Sequence, residues 1–354
     1  MGRSTKGEFG QLVFGQDRNF PFQFLFSGMK WSIDFPIPNY PFPISHQSKI
    51  LSLGSCFAQT IGQKMIDAKF DCLVNPFGTI FNPISLEILL KSAFYENQFE
   101  ESLICERDGL YFHYYAHSDL WGKTKTELLG KLQAKREETK VHLEQGTHLV
   151  LTLGSAWVYD LEGFKTVANC HKQPGKLFNK RLLTLEEMES RLLLLFDNFS
   201  TLNPNLKVIL TVSPVRHIKD GISENQLSKS QLRVLCANLE RRFSSVSYFP
   251  AYEIMMDELR DYRFYKSDLI HPNEEAENYI WQKWQTSHFD SDTIIKTEEI
   301  RKVNLELAHR PLNPKSDSHH KFLEKLIQKL ERLNSEFDFS KEIIQVQKQL
   351  DFLV

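Results

Sequence analysis

The sequence predicts a three-layer α/β/α sandwich, a parallel sheet with helices on both faces, followed by a helical C-terminal extension. Three observations predict it. Continuous apolar runs such as His148-Leu-Val-Leu-Thr-Leu153 and Lys207-Val-Ile-Leu-Thr-Val212 suit strands buried on both faces. Such runs alternate with segments of helical spacing at least four times, the order that builds strand–helix–strand units. The runs also end in small or polar residues: Gly54-Ser-Cys56, Asn75–Gly78, Gly154-Ser155 and Ser213–His217. In open parallel sheets the functional groups gather at these carboxyl ends.

The elements follow in order. Residues 1–28 are rich in Gly, Phe and Gln without a period and read as an upstream arm, with Met29 opening a plausible protein start. Prolines at 36, 38, 41 and 43 make 31–46 an extended strap. Residues 49–54 form a first strand, and 56–69 a helix with Phe57, Ile61, Met65 and Ile66 inward. Asp71–Val74 is a second strand. It ends in Asn75-Pro-Phe-Gly78, and Asn82 then caps a helix that has Pro83 at its first position. Short aromatic strands fill 99–122. A helix over 124–144 faces inward through Leu128, Leu129, Leu132, Val141 and Leu143. After the 148–153 strand, residues 158–170 alternate about Glu162-Gly163 as a hairpin. Helices over 185–198 and 224–243 flank the 207–212 strand; the second has Leu227, Leu232, Leu235 and Leu239 inward. A last strand spans 246–252, a polar loop 265–272 and a helix 273–284.

From about 288 the chain is charged and helix-prone. A stripe of Phe322, Leu323, Leu326, Ile327, Leu330 and Leu333 predicts a helical hairpin packed on the domain, with self-association through 291–354 as the sharper alternative. His319 and His320 read as solvent-exposed.

Composition limits function. The 354 residues are 41% hydrophobic and 25% charged with a net charge of -2, which suits a globular core and gives no sign of nucleic-acid or anionic-membrane partners. No apolar run reaches membrane-span length, and residues 1–28 show no signal-peptide pattern. Five scattered cysteines without a CxxC pair read as reduced thiols of a cytoplasmic protein, not as a zinc site or disulfide framework. No metal-ligand spacing, GxGxxG or P-loop is present, so no cofactor is expected.

Two stretches carry the chemistry. Ser55 and Cys56 stand between a strand and a helix N-terminus, where free N–H groups and the helix dipole stabilise a thiolate or an oxyanion. Asp268-Leu-Ile-His271 places a carboxylate where it can orient an imidazole acting as general base. Asn169 and His171 read equally as a substrate loop or as hairpin capping residues. Arg216 and His217 read as binders of a substrate carboxylate or as a seal on the strand end.

With these residues in view, the chain resembles the GSCFA-domain family. The resemblance rests on Gly54-Ser55-Cys56-Phe57-Ala58, Asn75-Pro-Phe-Gly78-Thr, Leu153-Gly-Ser-Ala-Trp157, Asn169-Cys-His-Lys172-Gln-Pro174, Ser213-Pro-Val-Arg-His217 and Asp268-Leu-Ile-His271-Pro272. The family is similar to the SGNH/GDSL-type hydrolases, and the resemblance covers roughly 29–287. It implies a flavodoxin-like sandwich of the SGNH type, with 29–287 as the domain and 288–354 as the extension. It also implies hydrolysis of an acyl ester, or acyl transfer to a sugar hydroxyl, by a nucleophile–His271–Asp268 triad. A glycan-binding module that keeps the cleft without catalysis is the alternative. In the GDS-type signature the nucleophile stands two residues after the glycine. That register favours Cys56, with Ser55 as the other choice. The wider group has an Asn near Trp157, which this chain lacks. Ser155, Asn75, the Gly154 turn, or N–H groups at Cys56 and Gly78 are then expected to complete the oxyanion hole.

Overall fold

The computed structural model describes residues 33, 36–95, 98–161 and 165–351. The chain divides into two units, 1–34 and 35–354, and all described residues except Ile33 belong to the second. The expected arm at 1–28 and the hairpin tip at Glu162-Gly163 lie outside the described residues.

The second unit begins with β1 (Lys49–Gly54), α1 (Cys56–Asp67), β2 (Asp71–Val74) and α2 (Pro83–Tyr95). A small antiparallel sheet follows, β3 (Ile104–Arg107), β4 (Leu110–His113) and β5 (Trp121–Gly122), and then α3 (Lys125–Gln145). Strand β6 (His148–Leu153) leads into a second antiparallel sheet of β7 (Trp157–Leu161), β8 (Lys165–Val167) and β9 (Phe178–Leu182). Next come α4 (Leu185–Leu202), β10 (Lys207–Val212), α5 (Ile222–Arg242) and β11 (Val246–Phe249). A short turn of helix, α6 (Ala251–Glu253), runs into a π-helical turn over Ile254–Glu258. Four helices close the chain: α7 (Glu274–His288), α8 (Ser291–Leu307), α9 (Asp317–Leu333) and α10 (Ser340–Asp351).

The protein is thus an α/β protein with a central parallel sheet flanked by helices. The sheet order is β11-β10-β6-β1-β2, and every pairing is parallel. All six residues of β6 are buried, as a strand covered on both faces requires. Side chains that alternate along the strands feed two cores. Leu51, Leu149, Leu151 and Leu210 pack with residues of α2 to α5, whereas Ile50, Val150, Ile209 and Phe249 pack with α1 and α7. Strand β1 pairs with β2 on one side and β6 on the other. The chain therefore leaves β1 in one direction and later returns on its other side, and the crevice between the carboxyl ends of β1 and β6 lies at this reversal, where such sheets bind ligands.

The described part of the proline-containing strap, 36–46, forms no helix. It is tied to the end of α7 through Tyr40 N–H to Ser287 O (2.6 Å) and Ile44 N–H to His288 O (2.7 Å).

Three inward-facing expectations are corrected: Ile66, Val141 and Leu227 are exposed. On α5 the buried stripe is instead Asn225, Ser228, Lys229, Leu232, Leu235, Cys236 and Leu239. The C-terminal segment forms three helices rather than a hairpin. The stripe on α9 is spent inside the chain: Leu323, Leu326, Leu330 and Leu333 pack with Val303, Phe337, Phe339 and Val346. His319 is buried, not exposed. Lys69 ties this group to the domain by bonding Glu342 (2.6 Å) and the Asp338 carbonyl (2.7 Å).

Candidate active site

The corner after β1 is fixed by backbone geometry. Gly54 has φ +138, and a Cβ there would lie 2.1 Å from the Thr152 carbonyl oxygen, so only glycine fits. Asn75, itself at φ +42, latches the corner: its Oδ1 accepts the Gly54 N–H at 2.9 Å. Helix α1 starts immediately. Ser55 is fully buried, and its Oγ accepts the Phe57 N–H at 3.2 Å as the N-cap. Cys56 is half-buried and faces a cavity of about 540 Å³. Burial raises its thiol above the ordinary value, while its own N–H, Lys229 and the Phe57 N–H pull it back down.

The opposite wall comes from the far end of the domain. His271 lines the same cavity as Cys56. Its Nδ1 is 2.7 Å from Asp268 Oδ2, and Asp268 Oδ1 accepts the N–H groups of Ile270 (2.9 Å) and His271 (3.0 Å). Those two backbone donors, then the imidazole, hold the Asp268 carboxyl far below the usual range. Leu269 between them is left-handed at φ +57, an uncommon conformation for a bulky residue and one that closes this tight turn. Lys266 N–H to His271 O (2.8 Å) and Arg216 N–H to Ile270 O (3.2 Å) stitch the loop shut and moor it to the exit of β10.

The loop after β2 contributes Thr79, Phe81 and Asn82 to the lining. Asn82 caps α2, its Oδ1 accepting the Ser85 N–H at 2.8 Å, while its amide Nδ2 makes no hydrogen bond to the described residues. Trp157, Tyr159 and Lys180 from β7 and β9 form an aromatic wall. Lys180 lies 5.2 Å from the Trp157 ring centre and 5.5 Å from that of Tyr159, and pairs with Asp220. Arg216 and Lys219 add positive charge at the rim. Arg216 stacks on Tyr265 (4.2 Å) and Tyr262 (5.3 Å) and also borders a second cavity of about 240 Å³.

The other expected site residues are placed as follows. Gly78, at φ +76 against His117, gives its N–H to Asn75 O at 2.7 Å. The Gly154 and Ser155 N–H groups both bond Phe81 O, at 2.8 and 3.0 Å. Ser155 Oγ lines the cavity but accepts the Trp157 N–H at 3.0 Å. These backbone donors are thus already engaged, and of the expected ones the Cys56 N–H in the open first helical turn is left. Asn169 and His171 do not line the cavity. Asn169 Oδ1 accepts the His171 N–H, and His171 is buried in the small β-region, its ring bonded to Ser118 and to His113 O and stacked on Phe112. Burial pushes His171 down to about 4. His217 does line the cavity. Its Nε2 is buried without a partner, and burial, then Lys229 and His271, push it down to about 3.

The sequence did not point to Asn82, which lines the cavity, or to Lys229, which is buried behind the ends of β6 and β10. Asn82 was legible only as a cap. Lys229 is 1% exposed, and its Nζ bonds the carbonyls of Gly154 and Ser213, both at 2.7 Å. Burial lowers the ammonium to about 7, with Cys56 pulling it back up. Its spacing to Leu232 and Cys236 on α5 was the available signal.

Among the described residues no group of three or more His, Cys, Asp or Glu is placed to hold a metal ion, and no helix is long and apolar enough to cross a membrane. Fold and cavity together define an α/β protein whose candidate site sits at the carboxyl ends of parallel strands. The chain belongs to the GSCFA family: the family profile matches residues 49–284, and that of the GSCFA domain protein C-terminal domain matches 300–351. No curated protein matches the sequence.

Proposed function

We propose that the protein is an acyl-ester hydrolase with a flavodoxin-like sandwich of the SGNH type, in which Cys56 is the nucleophile, His271 the general base and Asp268 its orienting carboxylate. The observation that carries the reading is that Cys56 and His271, far apart in sequence, border one cavity at the carboxyl ends of the sheet, with Asp268 bonded to His271 Nδ1. Ser55 supports it by exclusion, because its hydroxyl is buried and committed to the helix cap.

Because burial raises the Cys56 thiol, the sulfur needs a base at neutral pH. His271 Nε2 takes the thiol proton while the sulfur attacks the ester carbonyl. Asp268 holds the proton on Nδ1 and stabilises the imidazolium. The Cys56 N–H and the Asn82 amide face the developing oxyanion, replacing the Gly78 donor expected from sequence. The imidazolium returns its proton to the departing alcohol, leaving an acyl thioester. Water, deprotonated by His271, then releases the acid and restores the thiol.

The aromatic wall of half-buried Trp157 and exposed Tyr159, with Lys180, Lys219 and Arg216, favours a second reading in which a sugar hydroxyl replaces water and the enzyme transfers the acyl group. The substrate class is therefore a small-molecule or glycan-linked acyl ester. The test is hydrolysis of aryl acetates of rising chain length. Turnover lost in Cys56→Ala and in His271→Ala supports the reading. Absence of turnover, together with failure of iodoacetamide to label Cys56, would leave a glycan-binding module without catalysis.

A further inference from the structure

A second cavity abuts the first, and the acyl-transfer steps above make no use of it. Its volume is about 240 Å³, and Arg216 borders both. Its floor comes from Met255 and Met256 of the π-helical turn and from Leu259, whose N–H closes that turn on Ile254 O at 2.8 Å. Wide helical turns of this kind are frequent at functional sites. Two of its walls, Arg216 and Tyr265, are fastened to the loop that carries His271. The Arg216 N–H bonds Ile270 O at 3.2 Å, and Tyr265 forms a backbone bridge with Pro272. The second cavity therefore lies on the His271 side of the first.

Two features call for an anion there. The first is charge. The carboxylates that line the two cavities are already engaged: Asp220 pairs with Lys180, and Asp261 accepts the Arg263 N–H at 2.8 Å and meets its guanidinium at 3.3 Å. Arg216, Lys219 and Arg260 make no ion pair with any described residue. Stacking on Tyr265 and Tyr262 engages the flat face of the Arg216 guanidinium. Its N–H edge is left, the edge that grips a carboxylate or a phosphate with two parallel bonds. The second feature is Tyr265, which is 7% exposed and whose hydroxyl faces Arg216 without completing a hydrogen bond. A buried hydroxyl in that state lacks a partner, and an anionic oxygen beside Arg216 would supply one.

In the reaction proposed above, His271 hands its proton to the departing alcohol, so the alcohol part of the ester lies on this side. We propose that the second cavity holds an anionic group, a carboxylate or a phosphate, carried by that alcohol. Arg216 is the specificity-determining residue, and Arg260 and the Tyr265 hydroxyl complete the site. The inference rests on the hydrolase reading for the part of the ester that enters; binding of the free alcohol tests the pocket without it.

The experiment compares 4-hydroxybenzoate, 4-hydroxyphenyl phosphate and the neutral 4-hydroxybenzamide, each as the free alcohol and as the acetyl ester of its phenol. In calorimetric titration of the wild type, the free anions are expected to bind about tenfold or more tighter than the amide. That advantage should shrink as salt rises and be lost in Arg216→Gln. The tighter of the two anions tells carboxylate from phosphate. In kcat/KM for the esters, the anion-to-amide ratio is expected to fall about tenfold or more in Arg216→Gln. A smaller fall is expected in Tyr265→Phe, which keeps the stacking ring. Leaving-group differences cancel, because each ratio is compared between variant and wild type. An arginine that only seals the end of β10 would lower the melting temperature and slow all three esters alike, and an unchanged ratio overturns the proposal. Wild-type protein that binds the anions no better than the amide, or binds none of the three, overturns it without recourse to a variant. If the anions bind through Arg216 but no ester is turned over, only the hydrolase reading fails. If all three esters are hydrolysed without preference, only this inference fails.

Discussion

Replacing Asp268 by Asn tests the imidazole's orientation with little disturbance of the loop. Asp268 uses its two oxygens separately: Oδ1 accepts two backbone N–H groups, and Oδ2 meets His271 Nδ1. An Asn can keep its oxygen on the backbone donors, which preserves the turn and the left-handed Leu269. Its NH2 then faces Nδ1. A donor there favours the tautomer with the proton on Nε2, which cannot take a proton from Cys56. In a fully buried triad this exchange costs about 10⁴-fold in rate. Here the side chains are 44% and 41% exposed, so water competes for both partners and weakens the pair's electrostatics. The expected loss in kcat/KM for an aryl acetate is therefore smaller, about 10²–10³-fold, with an unchanged melting temperature. A steady-state assay of Asp268→Asn beside the wild type decides it. A variant within about twofold of wild type would refute the assignment of Asp268 as the orienting group, since loss of the correct tautomer cannot be that cheap.

Other perturbations separate structural from chemical roles. Ser55→Ala removes the α1 cap and is expected to cost about 1 kcal/mol in chemical denaturation while hydrolysis persists; Cys56→Ala should do the reverse, and the opposite pattern would make Ser55 the nucleophile. Gly54→Ala forces a Cβ against the Thr152 carbonyl at a left-handed backbone, so a loss of about 3 kcal/mol or more, or no folded protein, is expected; a variant as stable as wild type contradicts the corner geometry. Burial also lowers several histidines, His113 and His171 to about 4 and His217 and His288 to about 3. The unfolded chain binds protons at these sites below about pH 6.5 and the native state does not, so stability is held above that value and lost as pH falls, by up to about 1.4 kcal/mol per pH unit for each histidine. Melting temperatures measured from pH 8 to about 4.5 should be flat at first and then drop; a flat profile throughout means that these imidazoles are not buried neutral.

The parallel strands were legible because their signal is short-range: continuous apolar runs such as β6 have few other uses in a chain of this length. Strand β9 was not legible, since Phe178-Asn-Lys-Arg-Leu182 carries no apolar pattern and is a strand only through its backbone pairing with β7. On α5 the sequence pointed to Leu227 as inward, but the helix turns Ser228 and Lys229 to the core, where Ser228 Oγ accepts the Ala156 N–H and Lys229 donates to the Gly154 and Ser213 carbonyls, roles that leucine cannot fill. The candidate nucleophile and the Asp268–His271 pair could be named from spacing and resemblance. Which oxyanion donors remain open could not, because the Gly78, Gly154 and Ser155 N–H groups were taken by carbonyls of neighbouring turns that only the folded backbone brings near. His171 is the converse case: a His in a motif-like loop that the fold uses as a hydrogen-bonded core ring.

The most direct measurement is to stop the reaction with an aryl acetate by rapid acid quench and map the acetylated peptide by mass spectrometry. The account predicts an acetyl thioester on Cys56, absent in Cys56→Ala and formed far more slowly in His271→Ala. Release of the phenol with acetyl on Ser55, or with none at the 54–57 corner, would contradict it.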